Sequence, residues 1–143
     1  MMKKVILVLI FIGLFSCDDS CGTDVSLGPP SVYFSFLNET TGENIYNDSL
    51  YNYAQIQVFD ADSSAVFFNF IEEDSLNQLV VFPPFLNNVN SAFTVKLNDT
   101  LFFDFNYDVE TVQTECYTNY FIENLNSNSA NMLLNNYIYE VKF

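Results

Sequence analysis

Alternation of apolar and polar residues is the feature that most constrains the fold of this chain. From Phe103 to Val109, every second residue is aromatic or β-branched, and the residues between them are acidic or amide-bearing. Successive side chains of a β-strand point to opposite faces, so this period predicts a strand with one buried and one solvated face. Similar runs recur from Ser31 to Phe143, and no helical period longer than a turn or two interrupts them. The sequence therefore predicts an all-β fold.

The runs also predict how the strands are arranged. Strands are expected at residues 32–37, 53–59, 65–71 and 79–82, at two runs within 93–109, and at 116–122 and 137–143. Asn98 and Asp99 tolerate positive φ, which predicts a tight hairpin inside 93–109. One open sheet of this size would leave an aromatic face in water. We therefore expect an antiparallel, immunoglobulin-like β-sandwich of seven to eight strands over residues 31–143, with a small closed barrel as the alternative.

Charge and missing residue types exclude several classes of function. The chain has 18 Asp plus Glu, four Lys, no His and no Arg, and a net charge of −14. Without histidine there is no Ser-His-Asp or Cys-His pair and no His-ligated metal. Without arginine there is no bidentate clamp for phosphate, and an acidic protein repels nucleic acid. A glycosidase needs two carboxylates fixed in a cleft, for which so small a sandwich offers little room. We expect a non-enzymatic protein with no cofactor and no nucleic-acid partner.

The first residues of the chain have the pattern of an export signal. Lys3 and Lys4 precede an apolar run of 11 residues at positions 5–15. Such a run is too short to span a bilayer, which takes about 20 apolar residues, and it suits the apolar region of a signal peptide. Residues 1–16 are therefore predicted to be a signal peptide.

The end of this run, Leu14-Phe15-Ser16-Cys17, resembles the lipobox of bacterial lipoproteins. The resemblance implies that the signal is cut before Cys17 and that the Cys17 thiol carries a diacylglyceryl lipid. Two or three acyl chains, at about 0.8 kcal/mol per buried methylene, hold a protein stably on a membrane. Residues 17–30 would then be an acidic tether, and the mature chain would carry 2 − 18 = −16 charges.

Two further resemblances concern location and family. Asp18 and Asp19, directly after Cys17, resemble the acidic signal with which Bacteroidota-type lipoproteins reach the outer face of the outer membrane. This implies a lipid-anchored protein on the cell surface. The alternative is the periplasmic face of a membrane, because an Asp at this place implies inner-membrane retention in enterobacterial lipoproteins. Residues 41–44, Thr-Gly-Glu-Asn, resemble a turn in small lipoproteins of the same group that open an all-β domain of unknown function.

Four aromatic residues are candidates for contact with a ligand. Tyr46, Tyr51 and Tyr53 cluster around one predicted loop, and Phe85 follows two prolines in another. Aromatic rings in loops can stack on a sugar or on a protein partner, although core filling explains most aromatics in such a chain.

The cysteines left after lipidation predict a disulfide. Cys21 and Cys116 remain, and an even number of cysteines in an exported protein favours disulfide pairing. A bond between the tether and a late strand is therefore expected, with two unpaired thiols as the alternative.

Oxygen-bearing residues suggest two weaker sites. Asp104 and Asp108 belong to an acidic ladder that could ligate calcium, but the ladder lacks the calcium-loop pattern, and a solvated strand face explains it better. Ser49, Ser75 and Thr100 lie in Asp-Ser/Thr-Leu triplets that resemble O-glycosylation sites of exported proteins in the same bacterial group. Asp and Ser are also common in turns without any modification.

These observations predict a lipid-anchored binding or assembly module of the cell envelope whose loops contact a glycan or a protein. One alternative is an accessory subunit that docks on an outer-membrane complex through an exposed strand edge. Another is a periplasmic inhibitor or immunity-type protein, whose acidity would suit a basic target.

Overall fold

The computed structural model describes residues 28–47, 51–73, 76–85, 91–114 and 116–143. The predicted signal peptide, Cys17 and residues 18–27 of the predicted tether lie outside these ranges. Within them the chain is built from strands and two short 3₁₀ helices. The described ranges contain no helix of the length and apolar character needed to cross a membrane.

Nine described strands form two sheets. The strands are β1 (Val32–Leu37), β2 (Gln57–Asp60), β3 (Phe68–Glu73), β4 (Leu76–Val81), β5 (Ser91–Lys96), β6 (Phe102–Gln113), β7 (Thr118–Ser127), β8 (Asn131–Asn135) and β9 (Ile138–Lys142). One sheet has five strands in the order β3-β4-β1-β9-β8, and the other has four in the order β2-β5-β6-β7. The predicted all-β sandwich is confirmed, with nine described strands instead of the seven to eight expected.

Alternating aromatic residues fill the space between the sheets. Phe34 of β1 packs on Phe105 of β6, with 4.7 Å between ring centroids, and Phe36 packs on Phe103 at 5.8 Å. All four side chains are buried, as is Tyr107. The residues between the buried ones on β6 are exposed, as the alternation predicts. Because successive side chains of a strand point to opposite faces, every second residue of β6 lies in the core.

Two features of the sheets were not predicted. β8 lies outside the expected segments, because Leu133 and Leu134 are adjacent and break the alternation. β1 pairs with β9 in parallel, from Tyr33 opposite Ile138 to Leu37 opposite Lys142, in a sandwich that is otherwise antiparallel. Strand direction depends on partners distant in sequence, which local periodicity does not encode.

The predicted strand at 53–59 begins later than expected. Tyr53–Gln55 is a 3₁₀ helix, and the Asn52 side chain accepts a hydrogen bond from the Ala54 N–H at 2.9 Å. Asn side chains compete with strand pairing by bonding the nearby backbone. Ile56 and Val58 are buried on one face, whereas Ala54, which an unbroken strand would place on the same face, is exposed.

The predicted hairpin within 93–109 is confirmed as β5 and β6, which pair antiparallel. Its loop spans residues 97–101 instead of a two-residue turn. The Asn98 Oδ1 accepts hydrogen bonds from the backbone N–H groups of Thr100 and Leu101, at 2.9 and 2.8 Å. Lys96 Nζ lies 3.0 Å from the Asp99 carboxylate. Asn98 therefore organises the turn through its side chain, as Asn does in many turns.

Candidate functional site

A cavity of about 330 Å³ opens beside the start of β1. Its walls come from residues 28–32, from Tyr120, Phe121 and Ile122 of β7, and from Tyr137 and Tyr139 of the last hairpin. Small-molecule sites are typically concave, largely apolar and roughly 300–1,000 Å³ in volume. Residues 28–30, which the sequence assigned to the tether, are part of the wall. The cavity therefore lies where the predicted tether meets the folded domain.

Tyr137 is the most unusual residue of this cavity. It forms a two-residue turn with Asn136 between β8 and β9, and the φ angles of the two residues are 47° and 69°. Such turns favour Asn and Gly because both positions need positive φ, which is an outlier for a bulky side chain. The Tyr137 side chain is also 91% exposed. A large ring is thus held in a strained backbone conformation without being buried, which is typical of functional sites.

A second aromatic wall comes from β7. The Tyr120 ring packs on Phe85, with 4.7 Å between centroids, while Phe121 is exposed. The segment before Phe85 is held in place because the Tyr107 hydroxyl donates to the Pro84 carbonyl at 2.7 Å. Phe85, one of the predicted ligand-contact residues, therefore packs on Tyr120 and is not among the residues that line the cavity.

The lining residues determine what the cavity can accept. None of them carries a charge, and their polar side-chain groups are the hydroxyls of Ser31 and the tyrosines. Burial raises the pKa of Tyr139 above its ordinary value, which already lies well above neutral pH, so its hydroxyl is protonated and can donate a hydrogen bond. Tyrosine offers an apolar face and a hydroxyl that can donate or accept a hydrogen bond. This chemistry suits a neutral ligand with both apolar faces and hydroxyl groups.

The three tyrosines predicted as a ligand site lie elsewhere and pack together. Tyr46, Tyr51, Tyr53 and Phe70 form what we term the packed cluster, on the β3 side of the sandwich. The Phe70 ring centroid lies 4.9 Å from that of Tyr46 and 5.1 Å from that of Tyr53, and Tyr53 is nearly parallel to it. Tyr46 meets Tyr51 edge-on at 6.4 Å. Only Tyr53, at 52% exposure, offers much of its ring to solvent.

The Tyr46 hydroxyl has an uncommon environment. It is buried and finds no hydrogen-bond partner within the part of the chain that the structure describes. Burial, with a smaller contribution from Tyr51, raises the pKa of Tyr46 well above its usual value. An unsatisfied buried hydroxyl destabilises a fold and does not indicate a ligand by itself.

The acidic ladder of β6 is a solvated face. Asp104 accepts a hydrogen bond from the Thr94 hydroxyl at 2.6 Å, and Asp108 accepts one from the Asn124 amide at 2.8 Å. Protonated Glu123 can donate a hydrogen bond to the neighbouring Glu110 carboxylate, and this bond, with the repulsion between the two charges, raises the pKa of Glu123. Among the described residues, no group of three or more Asp, Glu, Cys or His is placed to hold a metal ion.

Of the three cysteines, only Cys116 lies within the described ranges, and it is disulfide-bonded. Cys17 and Cys21 lie outside them, so the pairing of Cys116 with Cys21 stays a prediction.

Of the three hydroxyls proposed for O-glycosylation, Thr100 lies exposed in the β5–β6 loop. Its Oγ1 lies 3.1 Å from the Asn98 Oδ1. Ser49 and Ser75 fall outside the described residues, and modification at all three positions stays a prediction.

Sequence reasoning missed Tyr120, Phe121 and Tyr137. One signal was available: Asn136-Tyr137 stands between two short apolar runs, where a hairpin would place a large ring at a turn that favours glycine. The chain matches no family model, no curated protein and no solved structure. The chemistry of the cavity is therefore the basis for assigning a function.

Proposed function

We propose that the protein is a non-enzymatic binding module of the bacterial cell envelope, anchored by lipid on Cys17, and that the aromatic cavity binds a neutral glycan. The observation that carries the glycan assignment is Tyr137. Its ring is exposed in a strained turn at the rim of the cavity, where it does nothing for the packing of the fold.

The distribution of charge supports a neutral ligand. The chain has a net charge of −14, yet the lining residues include no charged side chain. An anionic ligand would be repelled by the overall field, and a cationic one would find no carboxylate among the lining residues. A sugar ring has hydroxyls at its edge and C–H groups on its faces, so tyrosine rings with free hydroxyls can contact both parts. Tyrosine also provides rigid contact area at a small cost in conformational entropy.

The position of the cavity supports display on an anchor. The segment that lines one wall, residues 28–32, directly continues the predicted tether. Because residues 28–30 belong to this wall, the free tether is residues 18–27, which would reach up to about 35 Å from the lipid when extended, and a Cys21–Cys116 bond would shorten this reach. A tether of this length would let the domain meet glycans beyond the membrane surface. Cell-surface display is the location that we propose, with the periplasmic face of a membrane as the alternative.

Sugar titration of matched variants tests the binding site. A mature chain carrying Cys17→Ser is titrated with neutral oligosaccharides of glucose, mannose, xylose and N-acetylglucosamine, by calorimetry and by NMR of the aromatic side chains. We expect Tyr137→Ala to lower the affinity about tenfold, which equals about 1.4 kcal/mol and is in the range of a lost aromatic contact. Tyr53→Ala removes another exposed tyrosine, outside the cavity, and should leave the affinity unchanged.

Two results would contradict the glycan site. In one, no sugar shifts the resonances of Tyr137 or Tyr120. In the other, Tyr53→Ala weakens binding as much as Tyr137→Ala does.

Fatty-acid labelling and external proteolysis of intact cells test the anchor and the location. The wild-type chain should take up a labelled fatty acid, and Cys17→Ser should abolish the label. External protease should cleave the lipidated protein in intact cells. Lipidation with full protection would move the protein to the periplasmic face, and the absence of any label would refute the anchor.

A further inference from the structure

β8 is an edge strand without the usual protection. It pairs with β9 through residues 131–135, and in the described part of the chain no strand lies on its other side. Exposed edges offer free N–H and C=O groups to other chains, and proteins protect them with charged residues, proline or bulges. β8 reads Asn-Met-Leu-Leu-Asn, and its register with β9 is unbroken. It therefore has none of these protections.

The other three edge strands differ from β8 in this respect. β3 carries Glu72, and β2 ends in Asp60. β7 contains Glu123, followed by Asn124 with a φ of 51°, and its register with β6 is irregular there. Acidic side chains and irregular pairing hinder the addition of a strand. Among the described edges, β8 is the one that is regular and uncharged.

Apolar side chains are exposed on both faces of β8. Leu133 is 57% exposed and the adjacent Leu134 is about as exposed. The charges of the neighbouring strand balance, because Glu140 lies opposite Leu133, Lys142 lies opposite Asn131, and the Lys142 and Glu140 side chains approach to 3.8 Å. The strong negative charge of the chain is therefore not concentrated at this edge, and a second copy can approach it.

We propose that β8 pairs antiparallel with β8 of a second copy, about a two-fold axis at Leu133. The sequence of the strand is self-complementary in this register: Asn131 meets Asn135, Met132 meets Leu134, and Leu133 meets its own equivalent. Cross-strand partners lie about 4.5–5.5 Å apart at Cβ, so amides face amides and apolar groups face apolar groups. A two-fold interface requires a patch that matches itself in this way. Pairing with an unrelated strand would not require it. The five-stranded sheets of two copies would form one continuous sheet.

A strand pair of five residues is a small interface, so the free domain should dimerise weakly. Chains anchored on one membrane are confined near each other, which raises their effective concentration. The interface does not include the residues that line the cavity. The dimer can therefore be tested without any ligand. A negative result for the dimer would leave the proposed glycan site untouched, and the reverse also holds.

Sedimentation velocity over a range of protein concentrations tests the dimer. The mature chain carrying Cys17→Ser should shift from monomer to dimer as the concentration rises. Leu133→Lys places two like charges next to each other at the axis and should raise the dimer dissociation constant at least tenfold. The matched control is Phe102→Lys on β6, because Phe102 is 55% exposed and β6 is not an edge strand. Circular dichroism checks that both variants fold.

Site-specific cross-linking distinguishes this register from other contacts. In the dimer, two copies carrying Leu133→Cys would have their new thiols opposite each other, so air oxidation should give a covalent dimer. Phe102→Cys should give none. A chain that stays monomeric at millimolar concentration, a dimer that persists in Leu133→Lys, or equal cross-linking of the two cysteine variants would each overturn the proposal.

Discussion

The packed cluster and the cavity are both built from tyrosine and phenylalanine, yet they differ in what their rings contact. Phe70 of the packed cluster lies on β3 and Tyr137 of the cavity follows β8, which are the opposite edges of the five-stranded sheet. In the packed cluster each ring meets another ring. Within the described chain, Tyr137 meets none. Aromatic density therefore does not by itself mark a candidate binding site, whereas an exposed ring on a strained backbone does.

If the packed cluster is structural, its central ring should matter most for stability. Phe70→Ala removes the ring on which Tyr46 and Tyr53 pack, and we expect the free energy of unfolding to fall by about 2–4 kcal/mol, somewhat below a fully buried phenylalanine. Denaturant unfolding measures the loss. Tyr137→Ala, as the control from the cavity, should change stability by less than about 0.5 kcal/mol. Equal losses in the two variants would remove the distinction between the clusters.

Relief of the backbone strain at Tyr137 should give the second largest change in the free energy of unfolding, and this change should be a gain. Tyr137→Gly relieves positive φ, so the free energy of unfolding should rise by about 1 kcal/mol, although glycine also gains freedom in the unfolded chain. Glycan affinity should be lost in the same variant. Tyr137→Ala keeps the unfavourable φ and should lose affinity without gaining stability. A glycine variant less stable than the alanine variant would show that the turn is not strained.

The buried hydroxyl of Tyr46 sharpens the account of the packed cluster. Tyr46→Phe deletes a group without a described partner, so we expect a gain of about 0.5–1 kcal/mol in unfolding free energy. Tyr107→Phe is the matched control, because it removes a hydroxyl that donates to the Pro84 carbonyl, and it should cost about 1 kcal/mol. Thermal unfolding compares the two. A loss of stability in Tyr46→Phe would mean that the hydroxyl has a partner.

The smallest effect concerns the acidic pair beside the cavity. Glu110 lies opposite Phe121 in the β6–β7 ladder, and it raises the pKa of Glu123 by hydrogen bonding and by repulsion. A raised carboxyl pKa means that the folded state binds the proton more tightly, so this contribution to stability is present at low pH and lost as pH rises through the raised value. Glu123→Gln should therefore raise the melting temperature slightly at neutral pH and not at pH 3. Glu72→Gln, on an edge away from the cavity, serves as the control.

Sequence reasoning reached the strands and their faces but only part of the site. It placed Phe103, Phe105 and Tyr107 on one buried face, because the two-residue period fixes the direction of a side chain once a strand forms. It grouped Tyr46, Tyr51 and Tyr53 correctly as neighbours, since they are close along the chain. It could not tell that Phe70, distant in sequence, would cover them. For the same reason it could not foresee that residues 28–32 would meet β7 and the last hairpin.

The sequence by itself determined the all-β class, the buried face of β6 and the turn at Asn98, because these depend on neighbours within a few residues. Only the tertiary structure decided that β1 pairs in parallel with β9, that β8 is an uncharged edge, and that Tyr137 and Phe121 border one cavity. Those features depend on which strands become neighbours. Strand order is set by the burial of the whole aromatic core at once, and no single segment encodes it.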